Sequence, residues 1–287
     1  MAHIALTKPR IVELLLVTAV PTMFLAAKGL PTWQQTVAVL VGGALAAMGA
    51  NTLNSVYDRD IDAVMHRTDK RPAAMGLISV RAGLFQGFLL SVSSAFFLWW
   101  WTNLLAAVLA LVAIFLYAVG YTMWLKRRTP QNIVWGGAAG CMPVLIAWAA
   151  VTDSLAWAPV VLFLIVFFWT PPHYWPLAMK YKEDYAAAGI PMLPVLRTDV
   201  QVSNQIIVYS WVMVGTSLLL VPVAGAGWIY GVGAAVLGAV FIAMAYRLKA
   251  VAKSGSDVTK DAMRLFHWSI TYLALVFLLV ALSPFVV

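Results

Sequence analysis

Charge is what this sequence has least of. Only 10% of its 287 residues are Asp, Glu, Lys or Arg, and just 11 are acidic, whereas a soluble domain carries about 25% charged residues to solvate its surface. Water is therefore not the main solvent of this chain. Cysteine is nearly absent as well: Cys141 stands alone, which excludes an intramolecular disulfide and any cluster of Cys ligands and leaves burial between helices as its expected role. Low-complexity segments and strong internal repeats are also missing, and no stretch is polar and long enough to form an appended soluble domain. A single membrane domain over residues 1–287 is expected.

What the sequence has in abundance is apolar length. Hydrophobic residues make up 63% of it, and runs close to the ~20 residues needed to cross a bilayer recur along nearly the whole chain. Nine spans are predicted, near residues 11–29, 36–57, 83–101, 104–124, 133–151, 156–178, 204–224, 227–247 and 267–286. The first lacks a small-residue cleavage site, so it is expected to be retained. The fold class expected is an all-α integral membrane protein.

The few charges are unevenly placed. Of the 19 Lys and Arg residues, Lys28 alone falls beside an odd-numbered loop; Lys8 and Arg10 precede the first span and the rest sit in or beside even-numbered loops. By the positive-inside rule this puts the N-terminus and the even loops in the cytoplasm and Val287 outside, in a multi-pass protein of the cell (inner) membrane. One missed or extra span would scramble the asymmetry downstream, so the pattern supports nine. The net charge of +8 is then a topology signal, with attraction to anionic lipid secondary, and nucleic acid is not an expected partner. The even loops are also the long ones, which places function on the cytoplasmic side.

The second span ends GANTLNSVYDRDIDAVMHRTDKRP, residues 49–72. Asn54, Asp58 and Asp62 recur every fourth residue, so they drift only ~80° in total and form one stripe on a helix; Arg59 and Asp60 point elsewhere. Two carboxylates ~6 Å apart repel by roughly 3 kcal/mol at an effective dielectric of 20, and a cation against the stripe removes that cost. Hard oxygen ligands without His or Cys suit Mg²⁺, which proteins hold with one or two carboxylates together with substrate phosphates. Arg67, Lys70 and Arg71 follow, supplying cations for a diphosphate; Arg59 and Lys126 are counted with them.

A second constellation, WTPPHYWPLAMKYKEDYAAAGIPMLPV at 169–195, closes the sixth span. Pro171, Pro172 and Pro176 are expected to kink or break that helix beside a cavity. His173, Lys180 and Asp184 share one face if the helix resumes. Tyr174, Trp175 and Tyr181 fit an interfacial aromatic belt. The fourth span ends YAVGYTMWLKRRTPQN, residues 117–132: Tyr117 and Tyr121 are candidates for the cavity, and Lys126, Arg127 and Arg128 are first of all topology determinants. The small residues in 42–50 and 136–140 are expected to permit close helix packing.

With these residues in hand, the chain resembles the UbiA superfamily of intramembrane prenyltransferases, whose first signature is the Asn-x-x-x-Asp-x-x-x-Asp stripe matched by Asn54, Asp58 and Asp62. DRDID with MHRTDKRP, the block at 121–150, the segment at 169–195 and TKPRI at 7–11 are similar to the haem-farnesylating branch; residues beyond 195 match mainly in hydropathy. The resemblance implies nine helices around a central cavity, Mg²⁺ on Asn54, Asp58 and Asp62, and transfer of the farnesyl group of farnesyl diphosphate to a vinyl of haem B, giving haem O for terminal oxidases. It makes Asp58, Asp62, Asn54 and Asp184 the catalytic set, and His173, Lys180, Tyr117 and Tyr121 the acceptor site. Proteins that supply or receive haem are further expected partners. The pattern departs in one place: many members carry a second Asp-x-x-x-Asp on the sixth helix, where this chain has Lys180 and Asp184. That departure questions a symmetric second metal and gives Lys180 to the diphosphate or a propionate. Another aromatic acceptor within the superfamily, and a cation-coupled transporter, are the alternatives. Short, nearly uncharged outer loops speak against transport, which needs access from both faces.

Overall fold

The computed structural model describes residues 2–286, without the side chains of residues 10–15; the expected outer position of Val287 and the side chains of Arg10 and Ile11 lie outside the described residues. The elements, in order, are α1 (Ala2–Leu6), α2 (Pro9–Ala27), α3 (Trp33–Tyr57), α4 (Arg59–Val64), α5 (Val80–Trp101), α6 (Leu104–Phe115, continued as a π-helix over Leu116–Leu125), α7 (Asn132–Thr152), α8 (Trp157–Lys180), α9 (Lys182–Ala187), α10 (Leu193–Leu196), α11 (Asp199–Ala224), α12 (Gly227–Lys253) and α13 (Thr259–Leu282). Among the described residues eight of these are long and apolar enough to cross a membrane, and α2 adds a shorter apolar stretch, Leu16–Ala27. Each of the nine predicted spans thus has its helix, and no strand occurs among the described residues.

Local chemistry sets where the helices begin and end. Thr32 with Gln35 and Thr198 with Gln201 form capping boxes that start α3 and α11, and the side chains of Ser79 and Asn103 accept the first free amides of α5 and α6; such caps answer amides that lipid leaves without water. The short connections at one end close on left-handed residues: Lys28 after α2, Asp153 after α7 and Gly225 after α11. Sharp turns of this kind need only a few residues, so that end carries no long loop.

The large helices form a closed ring in which α2, α3, α5, α6, α7, α8, α11, α12 and α13 each touch the next and α13 returns to α2, with α2–α7 and α8–α13 contacts across it. Lipid gives no hydrophobic drive for helices to associate, so close packing of small residues does it. A Cβ on Gly49 would lie 2.6 Å from Ser91 Oγ and one on Gly42 2.6 Å from Leu98 Cγ, which is the helix-packing role expected of 42–50. Six of the nine helices, α2, α3, α6, α7, α8 and α13, line a central cavity, while α5, α11 and α12 pack outside it.

The sixth span departs from expectation: α8 runs unbroken from Trp157 to Lys180 through Pro171, Pro172 and Pro176. Each proline removes one backbone donor, and all three are buried against neighbouring helices, which hold the helix through the missing bonds. Trp175 is likewise not an interfacial belt residue. It is 1% exposed and packs edge-on to Tyr209 in the core.

Candidate functional site

The cavity has a volume of about 470 Å³ and is strongly divided. Its walls are mostly apolar, from Val39, Ala46 and Ile114 to Ile146 and Leu273, but its mouth gathers Lys8, Asn51, Asn54, Asp62, Arg67, Arg71 and Lys126. Among the described residues four cations therefore face one carboxylate along the lining. A low-dielectric chamber with such an excess is built for an anionic group attached to an apolar one.

The predicted stripe forms, although α3 ends at Tyr57 and α4 begins at Arg59. Asp58 N donates to Asn54 O at 2.9 Å and Asp62 N to Asp58 O at 2.8 Å, so the i to i−4 ladder passes through the joint and keeps the three side chains aligned. All three are buried. Asn54 Nδ2 donates to Asp58 Oδ2 at 2.7 Å and to Thr122 Oγ1 at 3.0 Å, while Lys8 Nζ donates to Asn54 Oδ1 at 2.6 Å. Lys126 Nζ meets Asp58 Oδ2 at 2.5 Å, and Arg71 Nη1 holds both oxygens of Asp62, at 2.9 and 2.8 Å.

One atom breaks this pairing. Asp58 Oδ1 is buried and accepts no hydrogen bond among the described residues; Arg127 Nη2 lies 3.9 Å from it. A buried carboxylate oxygen without a partner costs several kcal/mol unless a cation binds it. Among the described residues no three His, Cys, Asp or Glu side chains cluster as a metal site, so what the stripe offers is two carboxylates and an amide. That is a hard oxygen donor set which a divalent ion completes only with ligands from elsewhere, such as phosphate oxygens.

Fourth-span residues reach the stripe because α6 changes register. Thr122 Oγ1 donates to Tyr117 O, and Lys126 N donates to Tyr121 O, both five residues back. In this wider π register residues five apart stack above one another, so Lys126 follows Tyr121 toward the site. The rings of Tyr117 and Tyr121 stack at 5.7 Å and line the cavity, and Tyr121 lies where a Cβ on Gly136 would have to be.

The remaining cations answer to different partners. Burial first, and Arg71 next, push the Lys8 ammonium down to about 7. Arg67 Nη2 donates to Tyr185 Oη at 3.0 Å, which pairs with Tyr174 Oη at 2.7 Å, and the Arg67 backbone donates to Asp184 Oδ2 at 3.4 Å. Arg127 clasps Asp60 through two bonds of 2.7 Å, and that bond holds the Asp60 carboxyl below its ordinary range.

Residues 15–270 match the UbiA prenyltransferase family. The chain belongs to that family. Among the most similar relatives are the protoheme IX farnesyltransferases of Streptomyces avermitilis, 54% identical over 99% of this chain and 93% of the relative, and of Streptomyces coelicolor, 53% identical over 99% and 90%. In fold it is similar to a structure described as digeranylgeranylglyceryl phosphate synthase, with a TM-score of 0.79 at 14% identity over 99% of this chain and 97% of that one. It is also similar to a UbiA homologue from Archaeoglobus fulgidus bound to GPP and Mg²⁺, with a TM-score of 0.67 at 19% identity over 98% and 99%.

Within this UbiA family member, three of the residues anticipated for the site stand apart from the cavity. Arg59 is exposed and donates to Val56 O at 3.0 Å, because it sits one helical step, ~100°, beyond Asp58. Lys70 is exposed and absent from the lining, where Arg71 takes the inward position of the same turn. Lys180 is exposed, its ammonium 5.4 Å from the Tyr181 ring; α8 stops there, so it does not continue the inward face of His173. Asp184 reaches the site only through Arg67, and Asp58 through Lys126 and Asn54. Conversely, Lys8, Thr122, Arg127, Tyr174 and Tyr185 belong to the network. Lys8 and Arg127 had an orientation role that accounted for them, and Tyr174 looked interfacial.

Proposed function

We propose that this chain transfers the farnesyl group of farnesyl diphosphate to a vinyl group of haem B, forming haem O and releasing diphosphate. The division of the cavity carries the reading: one anion-binding mouth opens onto an apolar chamber, which suits an isoprenoid diphosphate better than either an ion pathway or a lipid. The names of relatives at over 50% identity favour protoheme as acceptor, and the GPP and Mg²⁺ of a family neighbour favour a metal diphosphate at the stripe.

Asn54, Asp58 and Asp62 would hold Mg²⁺, Asn54 and Asp62 from the cavity lining and Asp58 from beside it, where its Oδ1 accepts no hydrogen bond among the described residues. When bound, the ion supplies Lewis acidity and neutralises charge on the departing diphosphate. Asp62 takes part once Arg71 releases one of its oxygens, and the freed guanidinium then faces a phosphate, which it can grip in a bidentate fashion. Lys8, Arg67 and Lys126 complete the cationic cradle. The bond from farnesyl C1 to oxygen breaks with its electron pair staying on diphosphate. The vinyl π pair forms the new carbon–carbon bond, and the cation left beside the porphyrin is discharged by adding water and releasing a proton. Tyr117 and Tyr121 present aromatic faces to the allylic cation, and the apolar walls keep water from quenching it early. The charge asymmetry supports a cytoplasmic position for this mouth in a protein of the cell membrane. Incubating purified protein with haem B, farnesyl diphosphate and Mg²⁺ should yield haem O by mass together with free diphosphate. Diphosphate release with an aromatic acceptor but not with haem would overturn the acceptor.

A further inference from the structure

His173 is held in an arrangement that diphosphate chemistry does not call for. Its imidazole is sandwiched, with the Trp169 ring 4.1 Å away at 13° on one side and the Phe266 ring 4.8 Å away at 23° on the other. Both faces are thereby covered. Nδ1 lies 2.6 Å from Ser269 Oγ. The Ser269 hydroxyl spends its own proton on Phe266 O, at 2.6 Å, which leaves its oxygen as an acceptor and makes Nδ1 the protonated nitrogen. Nε2 consequently keeps its lone pair and, among the described residues, makes no hydrogen bond. His173 nonetheless lines the cavity; with faces and Nδ1 taken, the edge that does so is the one carrying Nε2.

A hydrogen-bond acceptor on Nδ1–H and a bare Nε2 are the arrangement by which proteins fix imidazole as a metal ligand. The neighbouring wall is built of small residues and is open at Gly140. Gly136, Gly137 and Gly140 of α7 line the same cavity, Gly137 lies against Thr170 three residues before His173, and a Cβ on Gly140 would meet nothing within 4 Å. Tyr174, the next residue, belongs to the Tyr185–Arg67 chain of the diphosphate mouth, so a ligand at His173 lies beside the prenyl donor.

We infer that His173 Nε2 is the axial ligand to the iron of the haem acceptor, with Ser269 fixing its tautomer and the Trp169–Phe266 sandwich fixing its plane. The inference rests on the haem reading above. It makes His173 an anchor that sets the depth and tilt of the porphyrin while the vinyl group reacts elsewhere on the ring.

Titration of the purified full-length protein with ferric haem B tests it, read by absorption and electron paramagnetic resonance. The expected result is a histidine-ligated spectrum for the wild type and its loss in His173→Phe, which preserves the aromatic stack. Binding of farnesyl diphosphate with Mg²⁺ by that variant shows that the fold persists. In His173→Ala, added imidazole should restore the ligand spectrum. Ser269→Ala should keep the spectrum and weaken haem affinity about tenfold or more, the usual effect of losing an orienting partner. A histidine-ligated spectrum unchanged in His173→Phe overturns the assignment while leaving the haem reading intact. A wild-type protein that binds no haem, yet releases diphosphate with another acceptor, overturns both.

Discussion

Replacing Asp58 by Asn tests the metal role at the atom that suggests it. The carboxylate is fully buried, Lys126 is only 14% exposed, and the two are 2.5 Å apart. Unit charges at about 4 Å attract by roughly 4 kcal/mol at an effective dielectric of 20, and leaving one member of a buried pair alone costs about 3–5 kcal/mol. Asn keeps the shape, and its amide oxygen can turn to Lys126, which recovers part of that cost. Its Nδ2 then occupies the position of Oδ1, so the carboxylate oxygen that accepts no hydrogen bond is replaced by a donor that repels a cation. Stability should fall by a few kcal/mol while the protein remains inserted. Transfer should fall by at least about a thousandfold, or roughly 4 kcal/mol, the upper range for loss of a single preorganised electrostatic contact. The assay is haem O formation by detergent-purified variant across a Mg²⁺ titration, with size-exclusion behaviour as the control for fold. Near-normal transfer with an unaltered Mg²⁺ dependence would refute the role given to Asp58.

Three further outcomes follow from the same geometry. Arg71→Lys keeps the charge but loses the planar fork that holds Asp62, so KM for farnesyl diphosphate should rise about tenfold or more, the value of a charge-assisted bond of about 1.5–3 kcal/mol; an unchanged KM would remove Arg71 from the cradle. Chelation should abolish diphosphate release, and Mg²⁺ should restore it better than Ca²⁺, which prefers more oxygen ligands than two carboxylates and an amide can offer. Lys180→Ala should leave transfer and stability nearly unchanged, within about 0.5 kcal/mol for an exposed side chain; a large loss of activity would return Lys180 to the acceptor site.

The parts legible in the sequence were those governed by a single period or a single count. Span lengths and the bias of Lys and Arg located all nine helices, and the i, i+4, i+8 spacing located Asn54, Asp58 and Asp62. What misled was register and redundancy. A period of 3.6 turns position 126 away from position 121 by ~140°, whereas the π segment brings them onto one side, so the spacing alone did not show Lys126, already counted with the diphosphate cations, sharing the face of Tyr121. Lys8 and Arg127 were fully accounted for by topology, and nothing local to residue 8 announces a partner 46 residues away at Asn54. Tandem prolines looked like a break because propensity cannot see the helices packed around α8. The sandwich around His173 was invisible for another reason: Phe266 and Ser269 come from α13, where the sequence carries no motif of its own.

The pairing of charges at the mouth would also let one site take up the proposed metal and its diphosphate without exposing bare charge to lipid. Asp58 has Lys126 and Asp62 has Arg71, so each of these carboxylates is paired with a cation before any substrate arrives. If a metal diphosphate enters as proposed, the carboxylates would turn to the cation, and Lys126 and Arg71 would turn to the phosphates. The number of opposite-sign contacts is kept through the exchange, so binding need not strip an unpaired ion of its surroundings. Lys8 and Arg67 line the cavity as well and add net attraction for the anion. After the carbon–oxygen bond breaks, negative charge concentrates on diphosphate at this same cradle, so the contacts that bind the donor strengthen most in the transition state. That is the condition under which binding energy speeds the chemical step.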